Sequence, residues 1–287
     1  MNFNMNFKIK IFISALIIFD FFIWNSIIFD GGHKNLQAYF LNVGQGDSEL
    51  VVLPGNVKIL MDGGPNSKIL TELSKSLPST DHYIDLIILS HAEADHFTGL
   101  IDVAKRYRIG AFIFNGLNGR GNTWPELLKI LKNNNVPIIV LSAGDKIKYL
   151  NNRMNFIWPE KNNLPKTTKT LNETALVSIL ESRMVKILFT GDIGFKTENH
   201  LLGKYDLSVD ILKVGHHGSK FSTSEEFLKA VDPKISIIEV GKNSYGHPTK
   251  EILNRLASVE SKIFRTDKDG LIKIEANGEN IKIFKIP

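Results

Sequence analysis

The chain contains no cysteine. Disulfides, thiolate nucleophiles and cysteine-ligated zinc are thereby excluded. Proline is sparse, at 10 residues, and neither a low-complexity tract nor a fixed-period repeat interrupts the 287 residues. This rules out collagen-like, coiled-coil and disordered chains. No charge sign dominates: 35 Lys+Arg against 30 Asp+Glu leave a net charge of +5. That balance is compatible with a polyanionic partner without demanding one, and a solvated basic surface explains it equally well. What is present in quantity is apolar residues, 43% of the chain, enough for one or two domains with a full core.

One stretch departs from this average. Ile11–Phe29 is apolar except for Ser14, Asp20, Asn25 and Ser26. As a helix it would extend about 28 Å, close to the hydrocarbon thickness of a bilayer. Lys8 and Lys10 precede it like the charged start of a secretion signal, and no small-x-small cleavage site closes it. The expectation is therefore an uncleaved anchor over residues 1–34. It would tether a domain of residues 35–287 to the cell membrane in a single pass, with the domain outside the cytoplasm; the alternative is a secreted chain. Asp20 is the weak point, at about 2.5–3.5 kcal/mol for a central acid.

From Asn35 onward, short apolar runs predict strands at Leu36–Leu41, Glu49–Leu53, Val57–Met61, Leu86–Leu89 and Phe112–Phe114. Further strands are predicted at Ile138–Leu141, Thr174–Leu180, Val185–Phe189, Ile211–Val214 and Ile235–Val240. Helical spacing is found at Ser67–Leu77, Gly99–Tyr107, Pro125–Asn133, Ser224–Ala230 and Lys250–Ala257. Early hairpins followed by strands alternating with helices argue for a mixed α/β (α+β) domain with helices on its outer faces.

The polar residues that carry chemistry fall at strand ends. Leu86–Ser90 is followed by His91-Ala-Glu-Ala-Asp-His96, four metal-ligating side chains in six residues. On an extended loop His91 and Glu93 point the same way and can share one ion, while Asp95 and His96 serve a second. Asp62 follows the strand Val57–Met61, Asp192 follows Val185–Phe189, His216 and His217 follow Ile211–Val214, and His247 follows Ile235–Val240. One such histidine is ordinarily structural; five matching placements imply one convergent site on one rim of the sheet.

These motifs resemble the metallo-β-lactamase superfamily. In particular they resemble the C-terminal domain of the ComEC family of competence DNA-uptake channels. The resemblance rests on Leu41-Asn-Val-Gly-Gln-Gly-Asp47, Met61-Asp-Gly-Gly64, Ser90–His96, Asn172-Glu-Thr-Ala-Leu-Val177, Thr190-Gly-Asp-Ile193, Leu212–Ser219, Tyr245-Gly-His-Pro248 and Arg265-Thr-Asp267 with Gly270. It implies a four-layer αββα sandwich with one or two divalent cations, Zn²⁺ or Mn²⁺, at one sheet edge. The ligands it implies are His91, Glu93 and Asp192 at one site, and Asp95, His96, the shared Asp192 and one of His216 or His217 at the other. Two departures stand out: Glu93 replaces the usual second histidine, and Asn172 stands at the place of a ligand histidine. A carboxylate-rich site makes Mn²⁺ a serious rival to Zn²⁺.

The implied chemistry is hydrolysis by a metal-activated water. Asp62 would orient the water or a ligand histidine, or else cap its turn; Asp95 joins it in the catalytic set, and His247 would contact a phosphate oxygen or protonate a leaving group. Ser219, Lys220, Asn172 and Asp47 are the candidate substrate contacts, the last through the Gly44-Gln-Gly46 turn. A phosphodiester, single-stranded DNA in particular, is the substrate the resemblance implies. A small ester, a lactam or a phosphorylated cell-surface group is the alternative, and a nucleic-acid-binding module without turnover is a third reading. No protein partner is inferable.

Overall fold

A computed structural model describes residues 3–29, 35–161, 164, 171–183, 185–278 and 280–287. Two sheets face each other. The first takes β1 (Leu36–Phe40), β2 (Glu49–Leu53), β3 (Val57–Met61), β4 (Tyr83–Ile88), β5 (Arg108–Phe114) and β6 (Ile138–Val140). The second takes β7 (Lys146–Tyr149), β8 (Asn152–Trp158), β9 (Val177–Glu181), β10 (Lys186–Phe189), β11 (Ile211–Lys213), β12 (Ile235–Ile238) and β13 (Lys262–Arg265). The chain then returns to the first sheet through β14 (Leu271–Ala276) and β15 (Ile281–Ile286), giving the orders β15-β14-β1-β2-β3-β4-β5-β6 and β13-β12-β11-β10-β9-β8-β7.

Alternation along each strand explains the layering. In β2, Val51 and Leu53 point between the sheets, where they join Phe40, Ile59, Met154, Phe156 and Phe189. Leu50 and Val52 point outward, against a layer formed by helices α2 (Lys68–Ser76), α3 (Ala94–Arg106) and α4 (Thr123–Asn133). On the far side, Ile179, Leu188 and Leu212 meet α5 (Phe195–Leu201), α6 (Glu225–Val231) and α7 (Lys250–Ser258). Strands buried on both faces read as continuous apolar runs, which is why they are visible in the sequence. The αββα sandwich expected from the motifs is the fold observed. The expected strands stop at Val240, so the C-terminal strands β13–β15, two of which extend the first sheet beyond β1, are additions.

Parallel pairing sets up the functional rim. β3, β4, β5 and β6 run parallel to one another, and so do β10, β11, β12 and β13. Their carboxyl ends open on the same edge, where the loops that follow can bring polar side chains together. Helix α3 is drawn tightly over the turn after β3: Gly63 N donates to His96 O at 2.6 Å and Gly99 N to Gly64 O at 2.9 Å. A Cβ on Gly99 would lie 2.0 Å from Gly63 O, so only glycine permits this approach. The crossing fixes His96 beside Asp62.

The N-terminal helix α1 (Phe3–Phe29) stands apart from these layers. Its described side chains are exposed, Phe12, Ile17 and Phe21 each by more than 60%. The membrane span expected here is corrected: among the described residues, no helix is long and apolar enough to cross a membrane. Lys10 and Asp20 interrupt its apolar sequence.

Candidate metal centre

Five of the strand-end residues converge. After β4 the chain turns through Ser90 and His91, and α3 starts at Ala94, so Asp95 and His96 occupy its first turn. Asp192 follows β10. After β11 the segment Gly215–Gly218 places His216 (φ 50°) and His217 (φ 54°) in the left-handed region, as is Asp62 (φ 53°). Non-glycine residues adopt that region at a cost of order 1–2 kcal/mol each, and clusters of them mark functional sites.

Asp192 Oδ2 lies at the centre. It is 3.4 Å from His96 Nε2, 3.5 Å from His217 Nε2 and 3.9 Å from His216 Nε2. Asp95 completes the group, 3.5 Å from His217 Nε2 and 4.0 Å from His96 Nε2. Ligands about 2.1 Å from a tetrahedral cation lie about 3.4 Å from one another, so these spacings suit a divalent ion.

The hydrogen-bond pattern makes a stronger case. His96 Nδ1 donates to Asp62 Oδ2 (2.7 Å), His217 Nδ1 to Glu239 O (3.0 Å), and His91 Nδ1 to Ser90 Oγ (3.0 Å), whose hydroxyl donates on to Asp62 Oδ2 (2.6 Å). Each ring is thereby held with its Nε2 lone pair directed inward. All three Nε2 atoms, and Asp192 Oδ1, are buried without a hydrogen-bond partner. Buried polar atoms are rarely left so, and a cation fits the need. The chemistry of the donor set, imidazole nitrogen and carboxylate, suits such an ion.

Electrostatics agrees. Burial raises Asp192 and Asp95, but the nearby imidazoles, His217 and His96, overcome it; Asp192 is held well below the carboxylate range and Asp95 is brought down to about 2. Burial lowers His96, yet Asp192, Asp62 and Asp95 lift it well above the ordinary histidine value; the acids around this ring call for positive charge, which a cation on its Nε2 would supply in place of a proton. Burial, with the His96 charge beside it, pushes His91 down to about 3.

Other expected residues sit elsewhere. The structure does not bring Glu93 to this group: it precedes α3, and its Oε1 accepts from Leu171 N at 2.9 Å. The extended-loop spacing argument fails because a helix begins one residue later. His216 lies at the mouth, where Asn172 Nδ2 donates to its Nε2 (3.2 Å), so Asn172 steadies a histidine. His247 approaches His216, with ring centroids 5.8 Å apart. Lys220 is exposed, its Nζ 5.1 Å from the Phe221 ring centroid. Two of the expected substrate contacts, Ser219 and Asp47, are buried. Ser219 Oγ accepts from Phe221 N at 3.3 Å. Asp47 is fully buried and its Oδ2 pairs with Lys213 Nζ; the Gly44-Gln-Gly46 turn packs so tightly that a Cβ on Gly46 would lie 2.2 Å from Asp95 O.

Beneath the centre lies a charged layer that strand-end reasoning misses. Lys213, wholly buried, also donates to Gly191 O (3.2 Å) and lies 4.0 Å from Asp192 Oδ1. Glu239 Oε1 accepts from Ser48 N (3.1 Å), and burial beside Glu239 holds Glu49 well above the carboxylate range, as a neutral acid. Each interrupts an apolar strand sequence with a charge (Glu49 opening ELVVL, Lys213 closing ILK, Glu239 after ISII), and that interruption is the signal available in the sequence.

With fold and site described, the chain can be placed: it belongs to the metallo-β-lactamase superfamily, whose family model matches residues 41–241. It is 26% identical over 281 residues to ComE operon protein 3 of Bacillus subtilis (strain 168), covering 91% of this chain and 35% of that protein. It is 30% identical over 246 residues to Competence protein ComA of Neisseria gonorrhoeae, covering 84% of this chain and 32% of that one. The chain thus spans about a third of the length of the curated relatives it matches. Among solved structures, the metallo-beta-lactamase fold protein YhfI from Bacillus subtilis superposes with a TM-score of 0.57 at 11% identity, over 83% of this chain and 99% of that one. The family is one of metal-dependent hydrolases, and the His/Asp group implies that this chain binds a divalent metal.

Asp62 is the post on which two histidines depend. Asp62→Ala is expected to weaken Zn²⁺ or Mn²⁺ affinity about 10- to 100-fold, the usual effect of removing a partner that orients a ligand. Competition with a fluorescent chelator measures it; unchanged affinity would mean that the histidines hold themselves.

Proposed function

We propose that the chain is a metal-dependent phosphodiesterase, with single-stranded DNA as its substrate class. The observation that carries the catalytic part is the convergence of Asp95, His96, Asp192 and His217 with inward, partnerless Nε2 atoms; these four would hold the cation. When bound, such an ion lowers the pKa of water and stabilises charge on phosphoryl oxygens. The chain's own residues do the rest. Asp62 keeps His96 in the Nδ1–H tautomer, and Ser90 does the same for His91. Lys213 offsets the carboxylate charge from below, so that the centre is not an uncompensated cluster of acids. Burial, with His216 and His217 alongside, pushes His247 below the ordinary histidine value, leaving a neutral imidazole at pH 7. That ring suits donating a hydrogen bond to a phosphate oxygen better than protonating a leaving group.

The DNA part is supported by the two competence proteins among the relatives and by the basic balance of the chain. The test is hydrolysis of bis(p-nitrophenyl) phosphate by the full chain with Mn²⁺ or Zn²⁺, followed by cleavage of a labelled single strand. Turnover that EDTA abolishes and added cation restores is expected. Retained metal without turnover on either phosphodiester would transfer the site to esters or lactams.

A further inference from the structure

A line of rings leaves the metal centre for solvent. His96 and His217 have centroids 5.6 Å apart, His217 and His216 6.1 Å, His216 and His247 5.8 Å, and His247 and Tyr245 5.7 Å with planes tilted by 30°. Tyr245, at the outer end, is 73% exposed. On the same rim Phe221 is 65% exposed. Among the described residues outside α1, the only other large apolar side chain with more than 60% of its surface in water is Leu150, in the turn between β7 and β8. Two exposed aromatic rings beside the centre are not dictated by folding, since neither packs into the core.

The loop that carries Tyr245 is already ordered. Asn243 Oδ1 accepts from Tyr245 N and His247 N, both at 3.0 Å, while its Nδ2 donates to Gly241 O (2.9 Å) and His247 O (2.8 Å). Thr249 N donates to Gly218 O at 3.0 Å, which ties this loop to the turn that leads to Phe221. A ring held on a fixed loop loses little entropy when a flat partner covers it. Lys220, adjacent to Phe221, and Lys242, three residues before Tyr245, are exposed. Beside Phe221 a groove of about 690 Å³ runs between Phe195, Lys220 and Arg255, with Glu225 and Glu251 on its wall.

We propose that Tyr245 and Phe221 are base-stacking platforms flanking the metal centre, which hold unstacked bases of a single strand while Lys220 and Lys242 meet its phosphates. This rests on the nucleic-acid reading above and adds where the bases sit. Stacking on aromatic rings is indifferent to base identity, so the subsite would accept any sequence.

The test measures binding of the metal-loaded full chain to two fluorescein-labelled phosphorothioate decamers, decathymidylate and an abasic strand of equal length, by anisotropy at 50 mM salt. The full chain is expected to prefer decathymidylate. Tyr245→Ala and Phe221→Ala should each weaken decathymidylate binding about 5- to 100-fold and leave abasic binding unchanged. Tyr245→Phe should keep the preference, and unaltered melting temperatures show that the variants fold. Equal binding of both strands by the unsubstituted chain would overturn the platforms and leave a phosphate-reading groove, with the nucleic-acid reading intact. Binding of neither strand by a chain that hydrolyses bis(p-nitrophenyl) phosphate would overturn both.

Discussion

Lys213→Met is expected to lower the melting temperature of the metal-free chain by about 10 °C. Lys213 and Asp47 are both fully buried and paired, so methionine would take the ammonium from the Asp47 carboxylate in the core and leave it only the His217 and His96 rings, 3.1 Å and 3.8 Å away, close to Asp192. Breaking a buried pair from one side costs about 3–5 kcal/mol, and about 2–4 °C per kcal/mol is the scale for a domain of this size. The partner substitution distinguishes the cause: Asp47→Asn combined with Lys213→Met should recover more than half of the loss, because the stranded charge is gone. Calorimetric melts of the two single variants and the double variant read this directly. Equal, additive losses would show that the pair does not act as a unit.

The second large effect concerns Asp192→Asn. The substitution keeps the side chain's shape but removes the anionic oxygen that lies 3.4 Å from His96 Nε2 and 3.5 Å from His217 Nε2. If the ~10–16 kcal/mol of a tightly held zinc is shared among four ligands, each contributes about 2.5–4 kcal/mol. Affinity should therefore fall about 10²- to 10³-fold, and turnover at limiting metal should fall with it. Activity preserved at stoichiometric cation would remove Asp192 from the ligand set.

Much of this was legible in the sequence because the buried strands are continuous apolar runs whose ends emit histidine and aspartate. The fold follows from those runs and from the order of the motifs. Strand β15 was legible in principle, since Ile281–Ile286 is a short run of isoleucine and phenylalanine broken only by Lys282 and Lys285, yet its place beside β14 depends on pairing that only the folded chain shows. Glu93 shows how local spacing misleads: the two-residue alternation holds for an extended segment, and the start of α3 at Ala94 turned it toward Leu171 instead. Which of the paired histidines faces the centre was likewise hidden, because it is decided by two successive left-handed residues and by the Glu239 carbonyl that receives His217 Nδ1. Lys213 and Asp47 lie 166 positions apart, so no window of sequence contains their pairing.

The most direct measurement is the metal content of the full chain after exposure to Mn²⁺ or Zn²⁺ and extensive dialysis, beside the Asp192→Asn variant. One retained divalent ion per chain, absent from the variant and raising the melting temperature of the unsubstituted chain, is the result predicted. A chain that retains no cation, and whose melting temperature excess cation leaves unmoved, would contradict the account.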